Sequence, residues 1–552
     1  MKQILLPFQR KILLIMNRIG LLAILLFTFS CNDFLDKIPD ERTEIKTPEQ
    51  ISKLLVNGYC MANYALLAEL SADNFIDNNS PDKDGTRYNL AAFEQMDDEI
   101  FAWEDIVSGD SQDSPSYIWE SYYYAIAVAN HALERIYQLE KEGRGSEVSA
   151  QKGEALMIRA FSHFNLVNLF AQTYRNTELS KQVPGIPYIT EPEKTVIVMK
   201  ERLSVAKIYE KIEEDLLIGL PLINNANYKV PKYHFNKQAA NAFAARFYLF
   251  KRDYQKVIEY ADRALSPDAS LYMKDWNISL PTYLSIVNWT IDEASNSNFL
   301  LIPTHSRFVR RYLKAYRYTC NRDAAKATIY GKGPSWSNYT YHPCYSGKLF
   351  ISGKQEYGVW FPNSGELFEY TDRVSGVGHP HIVRREFTAE ETVLCRAEAY
   401  IHLNRLDKAL GDLQLWDKAR QNLPVTSGFA SLTRESIENF YTKSAIPELV
   451  KPLNTTKIDP LWQIEEEQRA MLYCVLHFRR METVFEGFRW FDIKRYGIEI
   501  EHKIDRDRVE VLTWDDPRRA LQLPTEVIVS GLLPNDRQKQ EISTPEVFKL
   551  EN

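Results

Sequence analysis

Cysteine is scarce in this chain, six residues in 552. With Cys31 set apart, the other five (Cys60, Cys320, Cys344, Cys395 and Cys474) are an odd number at spacings that build neither a compact disulfide framework nor paired metal ligands. Stability must therefore come from a hydrophobic core. Cys60, Cys395 and Cys474 sit in apolar helical stretches and read as buried thiols, while Cys320 and Cys344 fall in a loop-rich region where a pairing stays open. Catalytic signatures are missing as well: there is no G-x-S-x-G elbow, P-loop, H-E-x-x-H or G-x-G-x-x-G. Positive charge is in deficit. Net charge is −7, and the segment before Cys31 holds four basic residues (Lys2, Arg10, Lys11 and Arg18) and no acid, so removing it leaves about −11. Phosphate binding needs a basic face, which argues against a nucleic-acid partner. The N-terminal apolar run, residues 19–29, falls well below the ~20 residues that span a bilayer.

What that run fits is an export signal: a basic n-region, an apolar core, then the small Ser30 before a cut. Cysteine at the cut adds a second meaning, because its thiol can carry a diacylglycerol. Residues 1–30 are thus expected to be a lipoprotein signal, starting at Met1 or Met16, with Cys31 as the lipid attachment. Residues 31–48 turn polar, contain Pro39 and Pro48, and suit a tether. More than 500 residues remain, ample for a large core.

From about residue 49 the helical period dominates. Residues 117–139 and 150–170 form one expected helix pair, separated by the Gly143-Arg144-Gly145 break. A second region places helices at 204–219, around Ala240 to Phe247, and from Val257 to Leu265, with a break at Lys251 to Tyr254. A third pair falls at 388–403 and 406–420. Alternating alanines and large aromatics across short turns is the tetratricopeptide manner of helix pairing. The spacing between pairs is irregular, so the expected fold class is mainly α: tetratricopeptide-like helix pairs, an α-solenoid scaffold, carrying a large irregular loop-rich lobe. That lobe is residues 268–380, where no helical period is sustained; a second loop region spans 71–104. Long stretches of this kind inside a compact body are usually functional.

Aromatic residues make 12% of the chain, and those in the two loop regions matter most. A sugar ring presents a face of C–H groups that stacks on Trp or Tyr, while nearby Asp, Asn and Arg satisfy its hydroxyls. The loops supply both parts. Asp73, Asn74, Arg87, Trp103, Trp336, Tyr339 and Tyr341 are the expected ligand-binding residues, against the plainer possibility that such aromatics are core. Other constellations read as structural. Glu482 and Glu486 are one helical turn apart, but Arg479, Arg480, Arg489 and Arg495 stand around them, so ion pairing that fixes helix packing is expected rather than a glycosidase pair. His379 and His381 lack a third ligand and read as loop histidines. No catalytic residue, metal or cofactor is expected.

Several segments resemble one family. Cys31-Asn-Asp-Phe-Leu-Asp-Lys-Ile-Pro39 resembles the start of mature SusD/RagB-type outer-membrane lipoproteins, as do Gly153-Glu-Ala-Leu-Met-Ile-Arg-Ala-Phe161 with Asn165-Leu-Val-Asn-Leu-Phe170, and Glu391-Thr-Val-Leu-Cys-Arg-Ala-Glu-Ala-Tyr400. The most specific match is Arg479-Arg-Met-Glu-Thr-Val-Phe-Glu-Gly-Phe-Arg-Trp-Phe-Asp-Ile-Lys-Arg-Tyr-Gly497. The proline-led segment at Pro524 departs slightly, with Gly531 where Asn is usual. The resemblance covers essentially the whole mature chain and implies one SusD-like domain over 49–552. It also implies a non-catalytic lipoprotein on the surface of a Bacteroidota-type bacterium. Such proteins bind oligosaccharides, or sometimes peptides, and pass them to a TonB-dependent (SusC-like) outer-membrane channel. The matched motifs are scaffold, so no binding residue transfers from them. A purely protein-binding scaffold and a glycan-active enzyme remain the rival readings.

Overall fold

The computed structural model describes residues 45–82, 85, 87–91, 93–109, 112–192, 201–276, 282–312, 316–329, 331–336, 358–359, 364–420, 430–443 and 446–538. Cys31, Tyr339, Tyr341 and Cys344 lie outside them. From Ile51 onward the described residues make one compact unit, and residues 45–50 fall in a separate, smaller one. The larger unit is mainly helical.

Helix α1 (Pro115–Lys141) starts where the Ser114 hydroxyl accepts from the Tyr117 N–H, with proline in the first turn. Helix α2 (Ser149–Phe170) follows; it is buried nearly all round, its polar residues included. Arg159 reaches Asp215 at 2.6 and 2.7 Å, and His163 sits under the Tyr188 ring at 3.7 Å. Helix α3 (Val205–Gly219) crosses α2 where both helices carry glycine: a Cβ on Gly153 would meet the Gly219 carbonyl oxygen at 2.9 Å. Then come α4 (Lys237–Lys251) and α5 (Tyr254–Ala264), joined at the left-handed Arg252. After the lobe, α6 (Ala389–His402) packs on α4, α5, α7 (Leu406–Arg420) and α8 (Glu466–Glu482), and α9 (Phe488–Tyr496) ends the helical core. The helix pairs expected from the period are present.

The lobe differs from expectation. Among its described residues are a short helix, Tyr283–Thr290, and most of a three-stranded antiparallel sheet. In chain order the strands are β1 (Ile76–Asp77), β2 (Asn298–His305), β3 (Tyr318–Thr319), β4 (Glu366–Asp372), β5 (Val377–Thr388), β6 (Ile500–Ile504) and β7 (Arg508–Leu512). The sheet order is β2-β5-β4, while β1 pairs with β3 and β6 with β7. His379 and His381 therefore stand on a strand, opposite Glu369 and Leu367, not on a loop.

Buried ions stitch the helices together. Arg479 and Arg495 both hold Glu398 of α6, so two of the segments that carry the family resemblance meet there. Arg480 and Arg489 both hold Asp73. Glu482 and Glu486 do form ion pairs, but with Arg420 and Arg385 of other elements rather than with the neighbouring arginines. Cys60, Cys395 and Cys474 are buried thiols as expected, and Cys320 is buried too.

The end of the chain returns to the end of α2, whose last carbonyls need donors from outside the helix. Lys494 donates to the Asn168 and Ala171 carbonyls at 2.5 and 2.8 Å, the Leu521 N–H to Leu169 at 3.1 Å, and the Asn535 amide to Phe170 at 2.8 Å. The short helix Thr525–Val529 closes at Gly531, whose φ of +102° suits glycine better than the usual asparagine.

Candidate functional site

A groove of about 580 Å³ opens where four distant parts of the chain meet: the stretch from Asp73 to Asp82 with Tyr88 and Phe101, Asn321, residues 447–451, and the β6–β7 hairpin with Glu499. Its floor is apolar. Phe75 packs edge-on against Phe485 at 5.5 Å, and Phe101 stacks on the His502 ring at 4.0 Å. The rim carries exposed Glu448, Glu499, Glu501 and Lys503, and a half-buried Tyr88.

The loop that forms one wall is stitched along its length. Asp77 accepts from Arg317 at 2.8 and 2.9 Å and from the Asn79 and Asp505 N–H groups at 2.8 Å. The Asn79 side chain accepts from the Leu90 N–H and donates to its carbonyl. Ser80 donates to the Lys503 carbonyl at 2.8 Å, and Arg87 bonds both the Asn79 carbonyl and the Asp505 carboxylate. Loop and hairpin form one framed wall. The 71–104 region does meet the 268–380 insertion, through β1 pairing with β3.

Asp73 lies at the inner end with its carboxylate committed to Arg489, Arg480 and Lys451. Burial alone would raise its pKa, but the three cations outweigh burial and hold the carboxyl well below its usual value. His502, clamped between Phe101 and Trp103, is pulled down to about 4 by burial, although the carbonyls of Phe101 and Ala72 both favour its charged form. Among the described residues no group of three His, Cys, Asp or Glu could hold a metal.

The expected ligand residues divide. Asp73 lines the groove and Arg87 frames it. Asn74 does neither: fully buried, it donates to Glu69 at 2.8 Å and accepts from Arg480 at 2.7 Å. Trp103 is interior, its N–H bonded to the Ser71 carbonyl at 2.9 Å and its ring stacked on His502. Trp336 is interior too, bonded to the Gly331 carbonyl at 2.7 Å, its ring lying where a Cβ on Gly333 would be. Neither indole offers a face to a surface ligand. Tyr339, Tyr341 and Cys31 lie outside the described residues. The hairpin residues Glu501 and Lys503 and the 447–451 segment are not among the expected ligand residues. Alternation from Ile500 to Ile504, followed by a polar turn, is the sequence signal that marks the hairpin.

Residues 33–249 match a SusD-like family described as "Starch-binding associating with outer membrane". No curated protein sequence matches the chain. Among solved structures, a SusD superfamily protein from Bacteroides thetaiotaomicron superposes with a TM-score of 0.57 at 16% identity, covering 89% of this chain and all of that one. One from Bacteroides fragilis gives 0.59 at 16%, covering 88% and 98%. A SusD-like carbohydrate binding protein from Bacteroides vulgatus gives 0.52 at 17%, covering 85% and 89%. At such identities the likeness speaks for the fold. Residues 33–249 thus carry the sequence pattern of a SusD-like family, and the described body shares the fold of these solved structures.

Proposed function

We propose that this protein is a non-catalytic, lipid-anchored glycan-binding protein of the outer membrane that holds oligosaccharides in the groove and hands them to a TonB-dependent channel. The observation that carries the reading is the groove itself, an apolar floor ringed by exposed carboxylates, an ammonium and a tyrosine, set in a rigid frame. Its innermost carboxylates, Asp73 and Asp77, are gripped by arginines. Asp73, held well below its usual pKa, is a poor proton donor, which favours binding over hydrolysis. The family's starch-binding description and the carbohydrate-binding relative point the same way.

Isothermal titration tests this, beginning with soluble starch and extending to other neutral polysaccharides. At least one should bind, and Tyr88→Ala should weaken it about tenfold, the effect of losing one stacking contact. Incubation with the bound glycan should release no reducing ends; release would favour the enzyme reading. Binding of peptides alone would move the ligand class, and binding of neither would leave a protein scaffold.

A further inference from the structure

The lobe holds a second hollow, about 560 Å³, lined by residues 271–275, Trp289, Asp292 and residues 294–297 and sharing no residue with the groove. Its aromatic wall is Trp289, half-buried at the end of the helix Tyr283–Thr290. The ring is fixed from two directions: Trp276 meets it edge-on at 4.9 Å, and the Lys274 ammonium lies 4.6 Å from its centre. That same ammonium donates to the Trp289 and Thr290 carbonyls at 3.0 and 2.9 Å, a cation on a helix C-terminus. The two walls are cross-linked behind by Glu390 of α6, buried, which accepts from the Lys274 N–H at 2.8 Å and from the Ser297 hydroxyl at 2.5 Å. Asp275, Asp292 and Asn296 stand exposed at the rim.

A held indole beside two carboxylates and an amide offers a pyranose what it needs. Its C–H face stacks on the ring, its hydroxyls donate to Asp275 and Asp292, and the Asn296 amide donates in return. The rim carboxylates disfavour an acidic sugar, and the one cation among the described lining residues, Lys274, is already engaged by carbonyls. Because Glu390 and Lys274 set the shape in advance, little ordering is required on binding. We propose that this hollow is a second saccharide site, taking a neutral sugar unit of a glycan whose other part lies in the groove. The proposal rests on the glycan-binding reading above. Two weak sites on one polysaccharide hold it more tightly than either alone.

The test is titration of the mature protein with maltoheptaose and soluble starch, then with other neutral oligosaccharides and their parent polysaccharides. Two oligosaccharide equivalents should bind per chain. Trp289→Ala should leave one, and weaken polysaccharide binding about tenfold or more. Asn296→Ala, at an exposed position, should weaken the second site without moving the melting temperature, so that a folding defect in the tryptophan variant does not decide the matter. A single equivalent in the unaltered protein, or unchanged binding in both variants, overturns the second site and leaves the groove intact. No neutral saccharide bound by the unaltered protein defeats the glycan reading itself, and this inference with it.

Discussion

Asp73 shows how completely one carboxylate can be committed. Three cations from two separate segments converge on it, and it is 6% exposed at the side chain. Replacing it with asparagine would leave Arg480 and Arg489 without their anion, a loss of about 3–5 kcal/mol. Its folded pKa is depressed, so its stabilisation is present above the unfolded value near 3.8 and fades as pH falls below it. Urea melts should therefore show a gap between wild type and Asp73→Asn that is constant near neutrality and shrinks only in that acid window. A gap already closing at pH 6 would mean the cations are not what holds the group. The tryptophans carry a different expectation. Trp103→Ala and Trp336→Ala should each cost about 3–5 kcal/mol as cavities in a packed interior, with no selective loss of glycan affinity. A stable variant with weakened binding would return that ring to the ligand surface. Composition alone cannot separate these two fates, because a loop-rich lobe needs aromatic core as much as a binding face does.

At the level of elements, the solenoid was readable because its apolar residues repeat at 3.6, whereas the sheet was not. In β5 the run Arg384-Arg385-Glu386 is buried, with partners Asn63, Glu486 and Arg246. Charges on both faces of a covered strand erase the alternation that would mark it. The groove was half readable for a similar reason. Its 71–104 wall stands out as polar loop, but its opposite wall is a hairpin some 400 residues later, and nothing local joins them. The joint between them is testable. The Arg87–Asp505 pair is largely exposed at the aspartate and should be worth under about 1 kcal/mol globally. Yet Arg87→Ala removes both its link to Asp505 and its bond to the Asn79 carbonyl. Hydrogen exchange should accelerate around Asn79 and Leu90 while the melting temperature barely moves. Unchanged exchange there would show that Asp77 and Ser80 suffice to hold the wall.

Across the whole molecule, buried titratable groups set a pH response. His163 and His477 are pulled to about 3, and His402 and His502 to about 4, each chiefly by burial. Such groups stabilise fully above their unfolded pKa near 6.5, and the contribution is lost as pH falls toward the folded values. Glu69, raised to about 7, and Asp113, raised to about 6, act oppositely, since burial favours their neutral forms. Between pH 6.5 and 4.5 these histidines, with His381 lowered as well, act against all the carboxyls that burial raises, Asp97, Asp412 and Glu486 included, and the four deeply buried histidines are expected to carry the balance. Denaturation midpoints should fall across that interval; a flat or rising profile would show the histidines are not neutral in the fold. A separate whole-molecule expectation concerns the lipid anchor proposed at Cys31. Two acyl chains give stable anchoring where one is marginal, so Cys31→Ala should shift the protein from the membrane pellet to the soluble fraction.

The return of residues 494–535 to the last turn of α2 also bears on when the chain can fold. Repeat arrays tolerate shortening from one end, because each repeat contacts only its neighbours. Here helix α2 is finished by Lys494, Leu521 and Asn535, which the ribosome adds more than 300 residues later. The early helices thus cannot reach their final stability while synthesis is under way, and contacts this distant in sequence form slowly. Under the outer-membrane location proposed above, a chain that stays incomplete until residues 494–535 arrive would be kept open for threading through an export channel, and would lock only on the far side.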